Sequence, residues 1–248
     1  MLSLLDFTPA LIVFDKDGTL IDFNFMWASW IAELAQRLEH ATHHPLTELL
    51  RQQPPLTELL YHTLGYDAAN ARVLAGAPLA VCSMKTLRDM TTDIVWRSGF
   101  SRADAERITA QVWFVPDPVA LAHPVADLAQ IFSTLHARGI RLGVATSDDR
   151  APTQATLDAL GIAPYVDALV CADDGLPNKP APDMLLHLCR TLDVSPSQMV
   201  MVGDAVADLE MGRNAQVARV MGVMTGLTDA RELAPHADLI LHSVADLI

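Results

Sequence analysis

Residues 10–19 read Ala-Leu-Ile-Val-Phe-Asp-Lys-Asp-Gly-Thr. The run Ala10 to Phe14 is apolar without alternation, the pattern of a short strand buried on both faces. It stops abruptly at Asp15-Lys16-Asp17-Gly18. In open α/β sheets ligands are met outside the carboxyl ends of the strands, so acids at that point are candidates for chemistry. Asp15 and Asp17 are two residues apart and can point into one space if the backbone stays extended. Carboxylates that close repel unless a hard cation bridges them or one holds a proton. Gly18 allows the chain to turn sharply after them. A carboxylate can also accept a phosphoryl group, splitting a hydrolysis into two easier steps. A calcium loop of the EF-hand type does not fit, because the glycine falls at the fourth position rather than the sixth and no glutamate falls at the twelfth.

Outward from this stretch the chain changes character twice. From Asn24 to about Phe114 the apolar residues recur at helical spacing: Trp27, Trp30, Ile31, Leu34 and Leu38, then Ile94 and Val95, then Ile108, Val112 and Trp113. No strand pattern stands out, and Pro54-Pro55, Gly65, Gly76 and Pro78 divide the region into several helices. After Pro116-Asp117-Pro118 strands and helices alternate. A helix is expected over Pro124–Ala137, a strand over Arg141–Ala145, a helix near Pro152–Leu160 and a strand near Ala168–Cys171. A helix near Asp183–Leu192, a strand over Met199–Val202 and a helix over Ala205–Asn214 follow, with short apolar segments at Ala218–Met221 and Leu239–Leu241. This alternation implies an α/β fold, a Rossmann-like parallel sheet with helices on both faces, interrupted by an all-helical insert. The expected division is a core of 1–22 and 117–248 and a helical cap of 23–116. An insert that leaves just beyond the tip of the first strand is placed to act as a lid.

Composition limits the classes of function. Of the 248 residues 51% are hydrophobic and 19% charged, as in a folded globular chain. The formal net charge of −13 gives no global attraction to nucleic acid or anionic membrane. Cys82, Cys171 and Cys189 form no CxxC pair and are read as free thiols. The apolar N-terminus carries Asp6 and lacks the basic start of a signal peptide, and no stretch reaches the length of a membrane span. A cytoplasmic location is expected.

Three further strand ends carry polar groups. Thr146-Ser147 follows Arg141–Ala145, and a hydroxyl with exposed backbone N–H groups can bind a phosphoryl oxygen. Lys179 lies in Gly-Leu-Pro-Asn-Lys-Pro, between two prolines, and could neutralise both a nucleophilic acid and a phosphate. Asp204 follows Met199–Val202, and Asp208 falls one helical turn later, where it could orient the site from behind. Taken singly, these read as a common loop, an exposed surface lysine and a helix-cap acid. Together with Asp15 they supply nucleophile, oxygen binder, cation and metal ligand.

Phe-Asp-Lys-Asp-Gly-Thr, Val-Ala-Thr-Ser, Asn-Lys-Pro-Ala-Pro-Asp and Val-Gly-Asp-Ala-Val-Ala-Asp-Leu-Glu-Met-Gly resemble, in order and spacing, the four motifs of the haloacid dehalogenase-like hydrolase superfamily. The insertion point resembles its helical-cap members, with the phosphoglycolate phosphatase-like subgroup nearest and the insert longer than that subgroup's usual small cap. The resemblance implies Asp15 as nucleophile and Asp17 as general acid, then base. Thr146, Ser147 and Lys179 would hold the phosphoryl group. Magnesium would be bound by the Asp15 carboxylate, the Asp17 backbone carbonyl and Asp204, with Asp208 behind them. Dehalogenase members lack the second aspartate and phosphonate-cleaving members replace it, so Asp17 points to phosphate esters. The expected substrate is a small phosphorylated metabolite such as phosphoglycolate or a sugar phosphate. A phosphomutase or phosphotransferase on the same scaffold, or a non-catalytic binding protein, are the rivals.

In the insert, Arg51, Lys85, Arg88 and Arg97 are the cations that could meet a substrate carboxylate or second phosphate, or simply coat a solvated helix face. Phe23, Phe25, Trp27 and Trp30 could line a substrate but are read mainly as packing residues. His40, His43 and His44 are read as a solvated turn rather than a zinc site.

Overall fold

The strand β1 (Leu11–Phe14) is buried along its whole length, and the sheet is built around it. The computed structural model describes residues 8–42 and 55–248. The remaining strands are β2 (Tyr66–Asp67), β3 (Arg72–Val73), β4 (Arg141–Ala145), β5 (Ala168–Val170), β6 (Met199–Gly203), β7 (Arg219–Val223) and β8 (Leu239–Leu241). A six-stranded sheet has the order β5-β4-β1-β6-β7-β8, and every pairing in it is parallel. The chain builds outward from β1 through β4 to β5, then returns to the other side of β1 for β6. That reversal puts a crevice at the carboxyl ends of β4, β1 and β6.

The absence of alternation in β1 now has its reason. Ile12 and Phe14 enter one apolar layer with Leu142, Val144, Val200 and Val202, beneath Ile131, Phe132 and Leu135 of the helix Leu128–Ala137. Leu11 and Val13 enter the other, with Met199 and Met201, beneath Met184, Leu185 and Leu188 of the helix Asp183–Leu192. Both faces are covered, so both sets of side chains must be apolar.

The helix expected from Pro124 begins only at Leu128. Pro124 instead bridges to Ile21, and Asp127 caps the helix by accepting from the Gln130 N–H at 2.9 Å. The three cysteines are unpaired, with Cys171 and Cys189 buried. Burial pushes the Cys171 thiol up to about 11, against the opposing charge of Arg150. Among the described residues no helix is long and apolar enough to cross a membrane.

The chain divides into two compact units, Met1–Phe23 with Pro118–Ile248, and Asn24–Asp117. Among its described residues the second is mainly helical and carries the antiparallel ladder of β2 and β3, whose two-residue strands are too short to leave a period in the sequence. Its packing centre is Trp30, fully buried. Trp30 meets Trp27 and Trp113 edge-on at 5.6 and 5.4 Å and donates its indole N–H to the Phe114 carbonyl. Phe25 is 45% exposed. Lys85 is exposed and paired with Asp89 at 2.8 Å, the solvated-face reading for that residue. His40 is exposed in the last turn of the helix Phe23–Thr42. Arg51, His43 and His44 lie outside the described residues.

Phe132 is fully buried and stacks on Phe14 at 5.1 Å, so it holds the central strand to its covering helix. Phe132→Ala should lower the unfolding free energy by about 3–5 kcal/mol, measured as a reduced urea midpoint at unchanged slope.

Candidate active site

Asp15 continues the line of β1, and its N–H donates to the Val202 carbonyl at 2.9 Å. The register sets Phe14 level with Val144 and Val202. Thr146 and Asp204 therefore each come one residue beyond the level of Asp15, on opposite sides of it. Parallel pairing alone brings three of the sequence candidates to one edge.

Lys179 joins them from the loop before the helix Asp183–Leu192. Its ammonium is 2.5 Å from Asp15 Oδ1 and 2.7 Å from Asp208 Oδ1. Its side chain is 6% exposed, which removes the surface-lysine reading. The loop is fastened by the Asn214 side-chain amide, which donates to the Pro180 carbonyl at 2.9 Å. Burial disfavours the Lys179 charge, but Asp15 and Asp208 outweigh it and hold the ammonium firmly protonated.

Asp15, Asp204 and Asp208 are all buried, and a carboxylate oxygen from each lies within 4.8 Å of the others. Asp204 is not the helix-cap acid. The cap N–H, that of Ala205, donates to Asp208 Oδ2 at 3.1 Å, while Asp204 Oδ1 accepts from Thr19 Oγ1 at 3.0 Å. Burial raises the Asp204 carboxyl well above the usual carboxylate range, with Asp15 and Asp208 adding to the rise. Asp15 is raised by burial despite the attraction of Lys179. Three buried carboxylates against one ammonium leave an excess of negative charge on an all-oxygen donor set. That is the chemistry of a site for a hard divalent cation, and magnesium fits it.

The carboxylate of Asp17 stands apart from this cluster. The chain bends at Lys16 instead of staying extended, and Asp17 Oδ1 accepts from Lys16 Nζ at 2.7 Å. Any contribution of Asp17 to a metal would therefore come from its backbone carbonyl. Burial raises the Asp17 carboxyl, Lys16 opposes the rise, and Asp15 adds to it. Thr146 is buried; its N–H donates to the Val170 carbonyl and its Oγ1 accepts from the Asp148 N–H at 3.1 Å. Ser147 is exposed beside it.

Sequence reasoning passed over several members of this edge. Lys16 is almost fully buried and pairs with Asp17 and with Asp148, at 2.7 and 3.1 Å. Thr225, just beyond β7, donates to the Gly18 carbonyl at 2.6 Å. Gly226 lies so close to Asp204 that a Cβ there would sit 1.7 Å from Oδ2. Gly18, at φ +90°, would bring a Cβ within 2.4 Å of the same oxygen. The usable signal was a charged Lys16 inside a stretch whose other members are either apolar or acidic. Thr225-Gly226 follows a strand as the other candidates do, but carries no acid or cation to mark it.

The haloacid dehalogenase-like hydrolase family profile matches residues 9–216. The chain belongs to that family. Among its relatives are the phosphoglycolate phosphatase of Rhodospirillum rubrum, 29% identical over 86% of this chain and 79% of the relative. Another is the N-acetylmuramic acid 6-phosphate phosphatase of Pseudomonas aeruginosa, 28% identical over 96% of this chain and 92% of the relative. In fold it is similar to a subfamily IA hydrolase of the same superfamily from Geobacter sulfurreducens, with a TM-score of 0.62 at 15% identity, covering 96% of this chain and 94% of that one.

The raised Asp15 and Asp204 carboxyls would make the binding of a divalent cation at this cluster depend on pH. Their burial is tolerated fully below the unfolded carboxylate pKa, and that tolerance is lost as pH rises through the raised folded values. A cation competes with those protons. Saturating magnesium should therefore raise Tm by about 5–10 °C near pH 8 and by less near pH 5. Gly226→Ala, by displacing Asp204, should abolish that shift in a calorimetric or dye-based melt.

Proposed function

We propose that the chain is a magnesium-dependent phosphomonoesterase that works through an aspartyl-phosphate on Asp15. The observation that carries this reading is the contact of Lys179 with Asp15 and Asp208 at a strand end where Thr146 and Asp204 flank the same carboxylate. The relatives named above are phosphatases of small phosphorylated molecules, and a substrate of that class, phosphoglycolate or a sugar phosphate, is proposed here. Residues 1–22 and 117–248 are read as the catalytic unit and 23–116 as the cap.

Asp15 attacks phosphorus in line with the departing ester oxygen. Asp17 gives its proton to that oxygen, so the product leaves as an alcohol. Water then attacks the aspartyl-phosphate and yields its proton to Asp17, which frees the Asp15 carboxylate and inorganic phosphate. Lys179, the Thr146 hydroxyl and the backbone around Ser147 hold the equatorial oxygens. The Asp15 carboxylate, the Asp17 carbonyl and Asp204 would hold magnesium, with Asp208 orienting Lys179. The ion would supply positive charge that offsets repulsion between the nucleophile and the phosphate. The raised Asp17 carboxyl suits a group that must hold a proton before it can donate one.

The test is phosphate release from phosphoglycolate, glucose 6-phosphate and p-nitrophenyl phosphate, with and without magnesium. Release should require the metal and vanish in Asp15→Asn. Asp17→Asn should lower kcat by about 10²–10⁴-fold with an unchanged circular dichroism spectrum. Equal turnover in Asp17→Asn and wild type would refute the acid/base role, and no release from any ester would refute the phosphatase reading.

A further inference from the structure

Two buried lysines sort the acids of this edge. Lys179 bridges Asp15 and Asp208, and Lys16 bridges Asp17 and Asp148. The first bridge belongs to the nucleophile and serves the mechanism already described. The second is assigned no part in it, yet Lys16 is 1% exposed, and burying an ammonium is costly unless it is paired and hydrogen-bonded.

Its partners explain the placement. Asp148 is the second residue beyond Thr146 and is held through its N–H, its carbonyl and both carboxylate oxygens. Its N–H donates to Thr146 Oγ1 at 3.1 Å, and its Oδ1 accepts from the Asp149 N–H at 3.0 Å. Its carbonyl accepts from the Ala172 N–H at 2.9 Å, just beyond β5. The remaining oxygen, Oδ2, meets Lys16. Asp148 is thus a rigid post rooted in the loop that carries Thr146 and Ser147. Lys16 is anchored equally well at its other end. Its carbonyl accepts from the N–H groups of Thr19, Leu20 and Ile21, closing the turn after Asp17. The ammonium therefore spans two fixed loops and takes hold of Asp17 Oδ1 between them.

We propose that Lys16 is a positioning residue which, braced by Asp148, fixes the rotamer of Asp17 and sets its distance from the phosphoryl group that Thr146 and Ser147 hold. Lys16 takes Oδ1 and leaves Oδ2 to carry the proton that passes to the departing oxygen. The bridge ties acid to phosphate loop, so that in-line attack by Asp15 and protonation by Asp17 share one geometry. An aspartate on the same turn without the bridge would sample several rotamers, and a general acid displaced by about 1 Å can lose on the order of a hundredfold in rate. The inference rests on the phosphatase reading above.

It has a signature that a merely structural lysine would not produce. An alkyl ester leaves as a basic alkoxide and needs a positioned acid, whereas p-nitrophenolate leaves without one. With enzyme in excess, the first turnover is timed by rapid quench for p-nitrophenyl phosphate and for the alkyl monoester that wild type cleaves fastest in the panel above. Lys16→Met should slow alcohol release from the alkyl ester about 10- to 100-fold. It should slow p-nitrophenolate release less than about threefold. Asp148→Asn, at a half-exposed position, should change the ratio in the same direction by about 3- to 10-fold, and decides the matter alone if Lys16→Met does not fold. An equal fall for both esters, or an unchanged ratio in the variants, overturns the positioning role while leaving the phosphatase intact. A wild type that cleaves p-nitrophenyl phosphate and no alkyl ester overturns it too. A wild type that cleaves no monoester at all brings down the phosphatase reading instead.

Discussion

The arrangement depends on the crowding of carboxylates where the central strand ends. Asp15, Asp204 and Asp208 converge within 4.8 Å, and Asp17 and Asp148 lie beside them on Lys16. Like charges so close in a buried place can be kept only if each is paired, protonated or bound to a cation. The structure uses the first means with Lys16 and Lys179, and the raised carboxyls of Asp15 and Asp204 mark where pairing falls short. That shortfall is what makes a divalent cation a fitting companion for the site.

The rest of the sheet can be understood as the means of holding this crowd in place. A central strand with parallel neighbours on both sides presents three consecutive strand ends to one crevice. Covering helices on both faces lock β1 between two apolar layers. A carboxylate on a strand so enclosed can move little, and preorganisation of that kind is what electrostatic stabilisation of a phosphoryl group requires. The loops add a second level of constraint. Thr225 fastens the Gly18 turn, Asn214 fastens the Lys179 loop, and the close approach of Gly226 leaves Asp204 no room on that side.

Much of this was legible in the chain. The unbroken apolar run before Asp15 announced a doubly covered strand, and the four polar strand ends announced a shared site, because parallel topology leaves them nowhere else to go. Element edges were less legible. The helix expected from Pro124 starts at Leu128, because Pro124 bridges to Ile21, far earlier in the chain, and Asp127 caps the helix. The ladder at Tyr66–Asp67 and Arg72–Val73 escaped notice because two residues carry no period.

What the sequence determined by itself was the kind of fold and the residues able to do chemistry, since both are written in local pattern: apolar period, turn residues, and an acid, hydroxyl or lysine after each strand. What only the tertiary structure decided was how the charges pair. The bend at Lys16 turns Asp17 away from the acidic cluster and onto a lysine. That lysine is shared with Asp148, and Lys179 chooses both Asp15 and Asp208. A charge finds its partner by distance through space and by the loss of competing water, and neither quantity exists in the chain until the strands have met.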